Sequence, residues 1–314
     1  SVESLFSTVL GKAAASKDDI LTAMGGIARA TALTKTDTLA VKATALQTAL
    51  VGQGFTAAAG FEPMDVTVTD NSGYMRNTPT KVESETVTWD VTTGAYVNDS
   101  RRVTVNDVNA VGNIKSSETT TWYWDSDKDA VTGKVKGYIP SEKEITKNKG
   151  PFIRNQPRDS MNISLVFDDT EGPGKEKFVA DSVKLTRNSG IDAQGNVRKQ
   201  TVETFVAREG KLADLKFAVS DLAKGEMTAA DKTAYDTLIN SLDADFKDSV
   251  KLAAIASGDK DPTLAANIYF ECSEKQEITN AGNFRGGVAS KVTADISVYD
   301  ATAGYLKDTR RETN

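Results

Sequence analysis

Residues 292 to 299 read Val292-Thr293-Ala294-Asp295-Ile296-Ser297-Val298-Tyr299, with an apolar side chain at every even position. Successive side chains of an extended strand point to opposite faces, so this alternation specifies a strand with one dry face and one wet one. The same period of two sets in near Asp65. It recurs in Val87-Thr88-Trp89-Asp90-Val91, from Arg102 to Val105, from Thr120 to Trp124, from Asn162 to Phe167 and from Val202 to Val206. Turn-forming clusters such as Asn98-Asp99-Ser100, Asn188-Ser189-Gly190 and Gln194-Gly195-Asn196 punctuate the series. A parallel sheet needs helical crossovers between its strands, and these runs follow one another without them. The expected class is therefore α+β, mainly antiparallel β: a sandwich or barrel with N-terminal helices and a helical insertion.

Helical periodicity marks the remaining segments. Before residue 60, apolar stripes run through Val2, Leu5, Phe6, Val9 and Leu10, then Ile20, Leu21, Met24 and Ile27, then Leu39, Ala43, Leu46 and Leu50, with Gly52 and Gly54 as a stop. Later, Leu212, Leu215, Val219 and Leu222 form one stripe. Thr228 with Asp231 then opens a longer helix through Tyr235, Leu238, Ile239, Leu242, Phe246 and Val250. The expected organisation is a helical N-terminal segment (1–60), a β-rich domain (61–208) with an extended loop near 140–158, a helical insertion (209–258), and strands that return to the β domain (259–314). No fixed-period repeat is visible in the range of roughly 20 to 50 residues that marks solenoids and propellers.

The chain has no histidine and a single cysteine. Ser-His-Asp and Cys-His nucleophile systems, the His-Glu-x-x-His zinc helix and histidine proton shuttles are thereby removed. Cys272 has no internal disulfide partner and reads as a small hydrophobe on a strand. Basic and acidic residues nearly balance, 38 against 44, and neither sign forms the long block that tracks a nucleic-acid backbone. No apolar run approaches the roughly 18 to 20 residues of a membrane span, and no export signal is visible.

Local motifs fail on their own chemistry. Asp125-Ser126-Asp127-Lys128-Asp129 suggests alternating carboxylates around calcium, but Ala130 stands where an EF-hand turn needs glycine and Lys136 where a bidentate glutamate belongs. Gly172-Pro173-Gly174-Lys175 lacks the upstream glycine of a phosphate loop, and Glu176 replaces the Ser or Thr that holds magnesium. Trp122, Tyr123 and Trp124 could stack on a sugar or base, but strand alternation sends both tryptophans to one face, as core packing requires. No catalytic, cofactor-binding or metal-ligating residue is assigned.

Lys147, Lys149, Phe152, Arg154 and Arg158 lie in the expected loop, and this cation-rich, proline-bearing segment reads as a solvated loop, with a subunit-contact arm and a nucleic-acid contact as the alternatives, Glu142, Glu144 and Asp159 diluting its charge. Thr/Val/Asp-rich hairpins such as Lys81 to Val91 and Arg101 to Val108, flanking helices and the near absence of His and Cys together resemble virion structural proteins of tailed bacteriophages. The likeness is to tail-tube or capsid-associated subunits. It implies a non-catalytic, self-assembling subunit that is built in the host cytoplasm and ends in the virion. Its partners would be copies of itself and other virion proteins, with non-specific proximity to DNA, no membrane and no cofactor. A capsid or decoration protein, a monomeric glycan-binding module and a carboxylate-dependent hydrolase are the competing expectations.

Overall fold

A computed structural model describes residues 38–52, 64–128, 135–172, 174–248, 250–251, 268–285, 288–300 and 302–313. The chain is mainly antiparallel β. Its strands are β1 (Val66–Met75), β2 (Thr78–Asp90), β3 (Ala95–Val108), β4 (Ile114–Lys128), β5 (Val135–Ile153), β6 (Gln156–Asp168), β7 (Lys177–Ile191), β8 (Val197–Ala207), β9 (Lys216–Asp221), β10 (Glu226–Met227), β11 (Phe270–Arg285), β12 (Val288–Asp300) and β13 (Gly304–Thr313). Helices α1 (Leu39–Gly52) and α2 (Ala229–Lys247) accompany them. Strand order follows the chain from β1 to β8 and continues β11-β12-β13, with β9 beside β7 and β10 beside β9. Among the described residues, β1 and β13 end the path and are not paired with each other. The expected helices before residue 38 lie outside the described residues.

Two compact units are present. The first comprises Ser1–Asn71, Val82–Val103 and Thr121–Ile139. Here the third apolar stripe of the sequence forms α1, whose Ala43, Leu46 and Leu50 are buried. Thr38 caps it, its hydroxyl accepting from the Val41 amide at 3.4 Å. Tyr96 ties helix to sheet: its amide donates to Thr44 Oγ1 and its phenol to the Met64 carbonyl, both at 2.8 Å. Val66, Val87, Trp122 and Ile139 complete the buried apolar set.

The second unit comprises Ser72–Lys81, Thr104–Thr120 and Pro140–Asn314. Its core is built from alternate positions, Met161, Ile163 and Leu165 of β6 and Phe178 and Ala180 then Val183 and Leu185 of β7, joined by Phe205, Phe217 and Phe270. The switch of parity in β7 coincides with the register shift between Ser164 and Leu165 on β6, as a bulge requires. Tyr235, Leu238, Ile239, Leu242 and Phe246 from one face of α2 close the same cluster. Thr228 is the N-cap of α2, accepting from the Asp231 amide at 3.2 Å. The main strand path breaks off after Ala207 and resumes at Phe270, and these two residues are cross-strand partners.

Segment 140–158, expected as an extended loop, is strand on both sides of a two-residue turn. Glu142 to Ile153 of β5 pair with Val166 to Gln156 of β6. The turn residues Arg154 and Asn155 have φ of 48° and 66°, the left-handed pair that a tight hairpin of this twist requires. The prolines obscured the strands. Pro151 occupies a bulge between Lys149 and Phe152, where the ladder is already interrupted and no N–H is needed.

The hairpins also repeat one another, which unequal spacing hides from a fixed-period search. At the tips an asparagine amide donates to a carbonyl at the start of the preceding strand: Asn106 to Pro79, Asn148 to Ile114, Asn188 to Pro157 and Asn280 to Val197, each at 2.9 Å. At the opposite ends stands an aromatic-Asp pair, Trp89-Asp90, Phe167-Asp168 and Tyr299-Asp300 at the last two positions of β2, β6 and β12, and Trp124-Asp125 three residues before the end of β4. Each aspartate accepts from the amide two residues on, at 2.8 to 3.0 Å. Each aromatic meets another on the next strand edge-to-face, Tyr96, Tyr138, Phe178 and Tyr305 in turn, with centroids 5.2, 5.0, 5.8 and 5.2 Å apart.

Two tip types alternate. Arg76-Asn77 has the same left-handed geometry as Arg154-Asn155, and each is followed by a residue and a proline. Between them in sequence, and again after, come Asn109-Ala110-Val111-Gly112-Asn113 and Asp192-Ala193-Gln194-Gly195-Asn196. In each of these loops the first side chain accepts from the amides two and four residues on.

Candidate functional site

The five residues of the proposed arm are brought together on the β5–β6 hairpin, but two are tied to the rest of their unit and a third to its neighbour on β6. Lys149 Nζ donates to the Lys247 carbonyl at 2.7 Å, placing a cation on the C-terminal end of α2, where the helix leaves carbonyls unpaired. Arg154 Nε donates to the Ala193 carbonyl at 2.9 Å, so one hairpin tip holds the next. Arg158 Nε contacts the buried carboxylate of Asp159 at 3.0 Å. Phe152 is half-buried, and its ring lies where a side chain on Gly150 would point. Lys147 stands across from Met161.

The buried charges of the same unit serve structure. Glu203 is 1% exposed and meets Arg187 NH2 at 2.6 Å. Burial pushes its carboxyl above the usual 4.5, against the pull of Arg187. It is too enclosed to reach a substrate. Lys143 Nζ meets Glu118 at 2.7 Å and lies 5.6 Å from the centre of the Phe178 ring. Asp245 pairs with Lys251 at 2.8 Å. Cys272 sits across β8 from Phe205, and burial raises its thiol pKa, which disfavours the reactive thiolate.

The motifs weighed in the sequence resolve into ordinary turns and packing. Asp125 is held by Lys136 Nζ at 2.8 Å and by the Asp127 amide, while Asp129 lies outside the described residues. Gly172 and Lys175 belong to the β6–β7 turn, where the Lys175 amide donates to the Gly172 carbonyl at 3.2 Å. Trp122 is buried with Arg101 over its ring, Trp124 meets Tyr138, and Tyr123 faces outward on the other side. An open, largely apolar depression of about 280 Å³ lies among Val166, Val179, Val206 and Leu212, with Asp168 and Asp181 on its wall.

The sheet edges are the surfaces without an internal role. β1 is exposed at every position after Val66, and β13 at every position from Leu306 onward. Among the described residues, neither edge has a second strand paired to its outer side. The sequence signal for β1 was the Val-Thr alternation that sets in near Asp65. Cross-strand hydroxyl pairs supply part of that pattern: Thr67 with Thr86 and Thr69 with Ser84, each at 2.9 Å.

No protein-family model matches the sequence, and no curated protein matches it. Among solved structures, a protein of unknown function from Bacteroides fragilis NCTC 9343 is similar at 7% identity over 50% of this chain and 89% of that one, with a TM-score of 0.28. A porin-like protein from Bacteroides uniformis ATCC 8492 is similar at 8% identity over 79% of this chain and 95% of that one, with a TM-score of 0.12. Likenesses at these scores carry no information about function.

Proposed function

We propose that the chain is a non-catalytic structural subunit that assembles with copies of itself through its sheet edges. The observation that carries this reading is the pair of long, solvent-facing edge strands, β1 and β13, at the ends of an open sheet. An uncovered edge is a template for another strand, so a protein that keeps two must either blunt them or use them. The deeply buried carboxylates and amines described above are held in ion pairs, which supports presentation of surface over chemistry in a cleft. We read α2 with β9 and β10 as an insertion into the hairpin series. The sandwich or barrel would be completed by neighbouring chains. The resemblance to tail-tube and capsid-associated subunits gives this reading its specific form, a bacteriophage virion component.

The test is the size of the purified full chain across a wide concentration range, combined with negative-stain microscopy. Concentration-dependent oligomers or regular particles are expected. A strict monomer at the highest concentration, with no particles, would refute the reading.

A further inference from the structure

We infer that β1 is the edge that takes up a second copy of this chain, as an antiparallel β1–β1 pair clasped by Asn71. The inference rests on the assembly reading above and names the surface and the partner. Within the sheet, Asn106, Asn148, Asn188 and Asn280 each reach across to a carbonyl of the neighbouring antiparallel strand. Asn71 stands in the same motif. Val68-Thr69-Asp70-Asn71-Ser72-Gly73 matches Ile145-Thr146-Lys147-Asn148-Lys149-Gly150 and Leu185-Thr186-Arg187-Asn188-Ser189-Gly190, an apolar residue followed by Thr-x-Asn-x-Gly. The match extends to backbone, since Gly73 and Gly190 both have φ of 61°. Yet β1 is the first strand of the path, Asn71 is exposed, and its amide makes no hydrogen bond among the described residues. A side chain that clasps a neighbouring strand four times elsewhere is here left without one.

The two edges differ in what they permit. β13 carries Lys307, Asp308, Arg310, Arg311 and Glu312 along its exposed length, the charge pattern that blocks strand addition. β1 carries only Asp70, together with exposed Val68, Tyr74 and Met75. The occupant must supply an extended backbone running antiparallel to β1, as in every clasp seen. A second β1 related by a two-fold axis satisfies that requirement and forms the clasp twice, once from each copy. An edge with so little charge is also compatible with itself.

Sedimentation velocity on the full chain and three variants tests the inference. Neither Asn71→Ala nor Val68→Lys removes an internal side-chain hydrogen bond, and Val68 is 42% exposed, so both should fold. The wild type should dimerise or assemble further, and Val68→Lys should abolish the β1 contact. Losing two hydrogen bonds per dimer in Asn71→Ala should weaken dimerisation on the order of tenfold to thirtyfold. Leu306→Lys on β13 should leave the dimer unchanged. Amide exchange in β1 of the wild type should slow as concentration crosses the transition. Assembly of Val68→Lys equal to wild type, with β1 amides unprotected, would overturn this contact and leave self-assembly standing through another surface. An unchanged dimer in Asn71→Ala would remove the clasp. A wild type that is monomeric throughout would overturn both this inference and the reading it rests on.

Discussion

Asn188→Ala tests whether the asparagine clasps hold the hairpins together. The Asn188 side chain is 8% exposed, donates to the Pro157 carbonyl at 2.9 Å and accepts from Gln200 Nε2 at 2.9 Å. Alanine deletes both bonds and leaves the Pro157 carbonyl without its side-chain donor. A hydrogen bond is worth a net of about 1 kcal/mol, and a buried polar group left unpaired costs about 1 to 3 kcal/mol. The expected loss is therefore roughly 2 kcal/mol. Asn71→Ala, at the matching position with no partner among the described residues, should cost under about 0.5 kcal/mol at concentrations where the chain is monomeric, as exposed substitutions usually do. Urea unfolding followed by far-UV circular dichroism measures the difference as a shift in midpoint at constant slope. Tryptophan emission is the wrong probe, because Trp89, Trp122 and Trp124 all belong to the other unit. Equal midpoints for Asn188→Ala and wild type, or equal losses for the two variants, would refute a stabilising role for the clasp.

Phe178→Ala should cost about 3 to 5 kcal/mol, since Phe178 is fully buried, packs edge-to-face on Phe167 and lies under Lys143; the same chemical denaturation reports it. Glu203 has a folded pKa raised above 4.5 by burial, so its contribution to stability is present below that value and is lost as pH rises through the folded pKa. The midpoint of Glu203→Gln minus that of wild type should therefore increase with pH above about 4.5, and a pH-independent difference would contradict the assignment. Hydrogen bonds from Thr93 to Asp90, Lys136 to Asp125, Thr170 to Asp168 and the Ala303 amide to Asp300 hold these carboxyls below 3.8. What they contribute is present above the ordinary carboxylate range and lost as pH falls through the lowered values. Replacing each by asparagine, which preserves the turn, should flatten the acid limb of a midpoint-against-pH curve. Thr228→Ala should cost about 1 kcal/mol through the lost N-cap of α2, and Lys149→Ala about 0.3 to 1 kcal/mol at its C-terminus, both read from thermal or urea midpoints.

The alternation at Val292 to Val298 maps onto β12, the stripe at Leu39, Ala43, Leu46 and Leu50 onto α1, and the Thr228–Asp231 signal onto the start of α2. These features were legible because one local rule decides each of them. The β5–β6 hairpin was not, because Pro140, Pro151 and Pro157 outweighed Ile145, the one residue of the segment in the core cluster, among mostly polar neighbours. Its cations read as available for a partner, whereas Lys149 and Arg154 meet carbonyls that are remote in sequence. The hairpin repeat stayed hidden because its signature residues are interchangeable aromatics and a polar Asn. The interval between Asn188 and Asn280 also contains α2, which breaks any period. Of the two edge strands, β1 was visible in the change of period near Asp65 and β13 only within the broad return to strands after residue 259, and which strands lack a neighbour is a property of topology that alternation does not encode.

Repetition carries a hazard of its own. Hairpins that share the same asparagine clasp and the same aromatic closure can bind the wrong neighbour during folding, or exchange with the equivalent hairpin of another chain, with every local interaction still satisfied. The alternating tips act against such errors. A Cβ on Gly112 would lie 3.3 Å from Arg76 and one on Gly195 3.1 Å from Arg154, tight contacts that show each five-residue loop fitting closely over the Arg-Asn turn beside it. The order of the strands is thus checked at the turns, where the copies differ, and not along the ladders, where they agree.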